Sequence, residues 1–227
     1  MNLPDGSRRA AAVEAMFDRI APRYDLMNRL MTFGMDRLWR RDAVEALALP
    51  RNSRALDLAC GSGDFCADLA KLGVRVVGLD FSAEMLRVAR LRSPRSCLVR
   101  ADALRLPLRS ESFDAIVSGF ALRNFANLED PFRECWRVLK RGGKIALLEV
   151  DTPTSPLLRI GHGIYFNRLV PLIGRLVDRD AYAYLPLSVS YLPGETRMLA
   201  MLADAGFRDL NKRRLLGGAV QLITGCR

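Results

Sequence analysis

RALDLACGSGDFCADLAKLGVRVVGLD, residues 54–80, is the stretch that decides the fold. Its apolar run through Ala59 reads as a strand, Cys60-Gly61-Ser62-Gly63 as a glycine-rich turn, residues 64–72 as a helix, and residues 74–79 as a second strand closing on Asp80. The result is a βαβ unit with a binding turn. Gly61 and Gly63 reach backbone angles closed to other residues, and the helix that follows offers unpaired N–H groups. Asp80, nineteen residues beyond Gly61 and at the carboxyl end of a strand, is placed to accept hydrogen bonds from ribose hydroxyls. The pattern therefore points to a nucleoside ligand.

The turn also limits which nucleoside. A dinucleotide site wants a third glycine three residues after Gly63, where this chain has Cys66, and a phosphate-binding P-loop wants a Gly-Lys-Ser/Thr that is absent. A nucleoside without a phosphate chain remains, and S-adenosyl-L-methionine fits. An ordinary strand-turn-helix corner is the bland alternative for so short a motif.

Outward from this unit, residues 1–50 carry helical spacing without strand alternation. Val13, Met16, Phe17 and Ile20 form one apolar stripe, and Leu26, Met27, Leu30 and Met31 a second after Pro22. LMTFGMDRLW, residues 30–39, is richer in methionine and aromatics than a surface helix needs, and reads either as core or as an apolar substrate wall. Downstream, Ser82 should cap a helix running to Arg92. A strand at 96–99 then ends near Asp102, which can face the same nucleoside near its base or merely cap a turn before Pro107. The strand at 115–117 leads into Ser118-Gly119-Phe120-Ala121-Leu122-Arg123-Asn124 and should lie beside the first strand. A helix at 128–139, a turn at 140–143, a strand at 144–150, a helix at 195–205 and strands near 207–213 and 219–224 complete the alternation. Residues 160–177 are strongly apolar but interrupted by His162, Arg168, Pro171 and Arg175, so they read as a lid or interfacial segment and not as a bilayer span.

Composition narrows the class. At 227 residues, half of them hydrophobic, the chain can bury one sizeable core. Its N-terminus lacks an apolar signal-peptide core, so a cytoplasmic protein is expected. Cys60, Cys66, Cys97, Cys135 and Cys226 show no paired spacing and accompany one histidine, so they read as small core residues and no metal site is expected. The formal charge of +10 comes almost wholly from arginine and fits a solvated surface or an anionic membrane. No aromatic-studded basic strand supports nucleic acid.

Four segments carry a family resemblance: FDRIAPRYDLMN at 17–28, LWRR at 38–41, GFALRN at 119–124 and YAYLPLSV at 182–189. With the glycine turn, they make the chain resemble the class I S-adenosylmethionine-dependent methyltransferases, and within them the C-methyltransferases of menaquinone and ubiquinone biosynthesis. The resemblance implies an α/β, Rossmann-like seven-stranded sheet, last strand antiparallel, with helices on both faces. Residues 1–50 would be helices covering the substrate site, and 51–227 the cofactor domain with a lid at about 152–193. It implies S-adenosyl-L-methionine contacts at Asp57, Gly61, Ser62, Gly63, Asp80, Phe81, Asp102, Ala103 and Ser118 or Gly119. Tyr24, Arg123 and Asn124 would orient a polyprenyl quinol, whose tail runs against Met31, Phe33, Met35, Tyr165, Phe166 and Leu169. Arg123, always protonated, would stabilise a phenolate and not act as a base. Transient contact with an anionic membrane, at the inner face of the plasma membrane, and a homodimer are further expectations. The alternative substrate is another lipid or a small phenol.

Overall fold

A computed structural model describes residues 7–165, 168, 170, 184 and 187–227. Three helices come first: α1 (Ser7–Ile20), α2 (Tyr24–Met31) and α3 (Asp36–Leu47). The alternating part follows as β1 (Arg54–Leu58), α4 (Asp64–Lys71), β2 (Arg75–Asp80), α5 (Ala83–Arg92), β3 (Cys97–Arg100), β4 (Phe113–Gly119), α6 (Glu129–Val138) and β5 (Leu139–Val150). After α7 (Pro156–Ile164) and α8 (Glu195–Asp204), β6 (Arg208–Leu215) and β7 (Val220–Cys226) close the chain.

The seven strands form one sheet in the order β3-β2-β1-β4-β5-β7-β6. β7 runs antiparallel to both its neighbours, while the β1, β2, β3, β4 and β5 pairings are parallel, as the resemblance implied. The order reverses at β1, between β2 and β4, and ligands in such sheets bind beyond the strand ends at that point.

Strand alternation sorts the core into two layers. Leu56, Leu58, Ile116, Ile145 and Leu147 pack with Phe132, Cys135 and Val138 of α6 and Met198 and Leu202 of α8. On the other face the smaller Ala55, Ala115, Val117 and Ala146 meet Trp39, Ala43, Val44 and Leu47 of α3 and Phe65, Cys66 and Leu69 of α4. Two of the three N-terminal helices build a core of their own, with Val13, Met16, Ile20 and Met27 packed on Met85 of α5.

Several expectations shift. The turn expected at 140–143 is part of a longer β5, with a register break opposite Phe113 to Ala115 that takes up the extra residues. In the second N-terminal stripe only Met27 is buried; Leu26 and Leu30 are 60% and 49% exposed, because α2 turns that face to solvent. Cys97 is exposed on the edge strand β3, unlike the buried Cys60, Cys66 and Cys135. Phe166, Leu169 and most of the expected lid lie outside the described residues.

Candidate active site

The ends of β1 and β4 both break into left-handed backbone at a non-glycine residue, Ala59 at φ 54° and Phe120 at φ 58°. Such conformations are held only by their surroundings. Here Cys60 N–H donates to Leu79 O at 2.9 Å, and Phe120 N–H to Leu148 O at 2.7 Å. Both strands thereby end abruptly and leave a crevice.

A cavity of about 630 Å³ fills that crevice. Gly61, Asp80, Phe81, Asp102, Ala103 and Gly119 line it, and α1 roofs it with Arg9, Val13, Glu14 and Phe17. Gly61 has φ +52° and open space where a side chain would begin, so the ligand side of the turn is bare main chain. Its N–H donates to Asp80 Oδ2 at 2.8 Å, while Ser82 N–H donates to Asp80 Oδ1 at 2.9 Å. Burial pushes the Asp80 carboxyl up to about 6 against these N–H groups.

The other expected contacts face elsewhere. Asp57 lies beneath the turn, where its Oδ2 accepts from Cys66 N–H at 3.0 Å and from the Cys66 thiol at 3.2 Å. Burial raises it to about 7. The Ser62 hydroxyl donates to Asp25 Oδ1 at 2.5 Å and accepts from Arg92 at 3.2 Å. Gly63 lets α4 and α5 approach, since a Cβ there would stand 2.9 Å from Ala89 Cβ. The Ser118 hydroxyl donates to Leu58 O at 2.8 Å inside the sheet, so of the adjacent pair it is Gly119 that borders the cavity. A side chain on Gly119 would meet Phe65 at 2.8 Å.

A second cavity of about 400 Å³ lies on the other side of Phe17, Tyr24, Phe120 and Asn124, which border both. Its walls are largely apolar: Met31, Phe33, Met35 and Trp39 on one side, Leu157, Leu158 and Tyr165 of the later segment on the other. The methionine-rich stretch is thus cavity wall as well as core. Tyr24 and Asn124 stand at the partition, and Arg123 joins them in the lining of the second cavity. Burial raises the Tyr24 phenol, with Arg123 opposing, so it remains a hydrogen-bond donor at neutral pH. Asn124 Oδ1 accepts from Tyr184 at 3.1 Å.

Some site residues were not legible in the sequence. His162 lines the second cavity, although its segment read as a lid; burial lowers it, with Asp151 opposing, so the imidazole is neutral at pH 7. Asp18 accepts from the Ser82 hydroxyl at 2.6 Å and Glu14 pairs with Arg100 at 2.8 Å, which hold α1 over the first cavity. Arg92 pairs with Asp25 and Asp64, and Arg40 with Asp36 at 2.6 Å and Asp64 at 3.2 Å, tying α2 and α3 to the glycine turn. Each of these needs residues far apart in the chain, and periodicity carries no signal for that.

Among the described residues one group could offer three metal ligands, the buried Asp57, Cys60 and Cys66. Its hydrogen bond with Cys60 and burial push the Cys66 thiol far up. The group is therefore an internally bonded cluster in which both thiols keep their protons.

The model of the ubiE/COQ5 methyltransferase family matches residues 6–227. The chain belongs to this family. It is 44% identical over 232 residues to a demethylmenaquinone methyltransferase of Roseiflexus castenholzii, covering 99% of this chain and 97% of that one. It is also 44% identical over 219 residues to the ubiquinone/menaquinone biosynthesis C-methyltransferase UbiE of Syntrophotalea carbinolica, covering 93% and 92%. Among solved structures, a SAM-dependent methyltransferase from Thermotoga maritima superposes with a TM-score of 0.66 at 20% identity, covering 93% of this chain and 98% of that one, and shares the fold. As a member of the ubiE/COQ5 family the chain is a methyltransferase.

Proposed function

We propose that this methyltransferase transfers a methyl group from S-adenosylmethionine to a ring carbon of a polyprenylated hydroquinone, demethylmenaquinol or 2-polyprenyl-6-methoxybenzoquinol. The observation that carries the reading is the apolar second cavity, where Arg123 joins Tyr24 and Asn124, the polar groups of the wall shared with the first. A phenolic head and a hydrocarbon tail match that division. Transfer of labelled methyl to reduced demethylmenaquinone, compared with the benzoquinol, tests it; no product from either would sink the reading in favour of another lipid or a small phenol.

The first cavity suits the cofactor. Bare main chain at Gly61 and a buried carboxylate at Asp80 serve a ribose, and Asp102 with Ala103 serves the base. When bound, S-adenosylmethionine supplies an electrophilic methyl on a sulfonium centre. Arg9, on the roof, lines this cavity and its charge suits the carboxylate of the methionine arm. The Arg92 latch supports the same site from behind. Arg92→Ala leaves Asp25 and Asp64 facing each other and removes three partly exposed polar interactions, each worth about 0.2–1 kcal/mol, so cofactor binding should weaken about five- to tenfold. An unchanged dissociation constant by calorimetry would remove the latch from the account.

On the acceptor side, the ring carbon becomes nucleophilic as its neighbouring phenol loses a proton. Arg123 stabilises the phenolate, and Tyr24, held protonated by burial, donates to an oxygen of the ring. His162, the neutral base in the wall, accepts the phenolic proton, and the ring regains aromaticity as the methylated carbon loses its hydrogen as a proton and the oxygen is reprotonated. The apolar lining excludes water from the reacting atoms.

The mouth of the second cavity supports reversible membrane contact. Phe33, Leu157 and Leu216 line it at 71%, 78% and 53% exposure, and Leu26 and Ile160 add 60% and 63% on α2 and α7. Arg29, Arg37 and Arg159 stand exposed on α2, α3 and α7. No helix among the described residues is long and apolar enough to cross a membrane. Docking of the collar on an anionic surface accounts for these features. Leu26→Glu with Ile160→Glu should abolish co-sedimentation with phosphatidylglycerol vesicles while leaving turnover of a short-chain quinol unchanged. Retained sedimentation, or a dimer that buries the collar by light scattering, would remove the lipid assignment.

A further inference from the structure

Glu149, next to last in β5 and fully buried, borders neither cavity. Its Oε1 accepts from Arg123 Nη1 at 2.7 Å and from Val150 N–H at 2.9 Å, and its Oε2 accepts from the Arg123 N–H at 3.3 Å. The same Nη1 donates to Phe120 O at 2.5 Å. Arg123 is 7% exposed and lines the second cavity, and its Nε is buried without a hydrogen-bond partner among the described residues.

A buried donor left unpaired in a folded protein calls for a reason. Here the rest of the guanidinium explains it. Nη1 is held twice, by a carboxylate on one strand end and a carbonyl on the next, so the long side chain has lost the rotamer freedom that would let Nε find a partner within the protein. Phe120 O is available only because Phe120 is left-handed, with φ 58°. The carboxylate also neutralises the guanidinium. The cavity thus presents a fixed donor beside a balanced charge, suited to a neutral hydroquinone that gains charge only as it reacts.

Resting on the quinol reading above, we propose that Glu149 is the positioning residue of the transfer, fixing the Arg123 guanidinium so that the edge it turns to the second cavity meets the reacting substrate's phenolic oxygen. Glu149 acts through Arg123 and touches neither substrate nor cofactor.

Glu149→Gln keeps the shape and one acceptor while removing the charge. It should lower kcat about ten- to a hundredfold, the scale of a donor displaced by an ångström or so. KM for the quinol and Kd for S-adenosylmethionine should stay within about twofold, a split that a merely structural role would not give. In the Arg123→Gln background, Glu149→Gln should lower kcat no further. Wild-type kcat in Glu149→Gln, a rise in KM and Kd matching the fall in kcat, or losses that multiply in the double variant would each overturn the proposal. Should Glu149→Gln lack native near-UV circular dichroism, Glu149→Asp draws the same charge back by one methylene: a fall in kcat at constant KM supports positioning, and wild-type kcat overturns it. A wild-type enzyme that methylates neither quinol overturns the substrate reading. An active wild type with an equally active Glu149→Gln overturns only the role of Glu149.

Discussion

Asp80→Asn is expected to weaken S-adenosylmethionine binding by about 10²-fold or more, the largest effect of any single change in the donor chamber. Both carboxylate oxygens are occupied from behind, Oδ2 by Gly61 N–H and Oδ1 by Ser82 N–H. An amide must turn its NH2 toward one of those donors, so the substitution loses a hydrogen bond to the protein and puts two donors face to face. It also removes the charge that a ribose hydroxyl would meet. Hydrogen bonds to charged groups contribute about 1.5–3 kcal/mol each, so two of them reach the stated factor. The pH dependence follows from the same carboxyl. Burial raises it to about 6, so in the empty protein its protonated form is favoured below that value, and the stability it lends the empty fold is lost as pH rises through about 6. Ligand hydroxyls reward the ionised form, so affinity should climb as pH rises through about 6 and level off above. Calorimetric Kd values between pH 5 and 8 check both points. A flat profile, or wild-type affinity in Asp80→Asn, would remove Asp80 from the donor site.

Arg123→Gln should reduce kcat by about 10²- to 10³-fold while leaving the Kd for S-adenosylmethionine within about twofold, because one preorganised donor aimed at developing charge is worth that much. Glutamine is the informative replacement. Alanine would strand the fully buried Glu149 without a partner, at about 3–5 kcal/mol, and a fall in activity would then mix folding with chemistry. Glutamine can still donate to that carboxylate but lacks both the Nε–H and the charge. Single-turnover measurement with bound cofactor separates the transfer step from product release. Full single-turnover rate in Arg123→Gln would exclude the guanidinium from the chemistry, whatever the substrate.

The sequence spoke clearly where information is local. The βαβ unit, the Ser82 cap, the bare Gly61 and the place of Asp80 depend on neighbours within a few residues or on one strand–helix–strand repeat, and the spacing carries them. The resemblance of residues 119–124 and 17–28 singles out Tyr24, Arg123 and Asn124 together, and the fold gathers them in the lining of the second cavity. Side-chain direction at the turn was another matter. Ser62 sits in the same turn as Gly61, yet Asp25, 37 residues away, and Arg92, 30 away, draw its hydroxyl off the ligand side. Ser118 is turned inward by strand alternation, which a register one residue different would have reversed. His162 looked unremarkable in an interrupted apolar run because the residues that make it part of a cavity, Met31 and Trp39 among them, come from the other end of the chain.

The roof that α1 lays over the donor chamber bears on timing. Val13 and Phe17 line the chamber, and the Asp18–Ser82 and Glu14–Arg100 pairs pin the helix to α5 and the end of β3. The Glu14–Arg100 pair is partly exposed, so salt screens it and loosens the hold of α1 on the fold. Exchange of spent cofactor past this helix is therefore expected to depend on a local opening equilibrium, which salt and temperature shift independently of the methyl transfer itself.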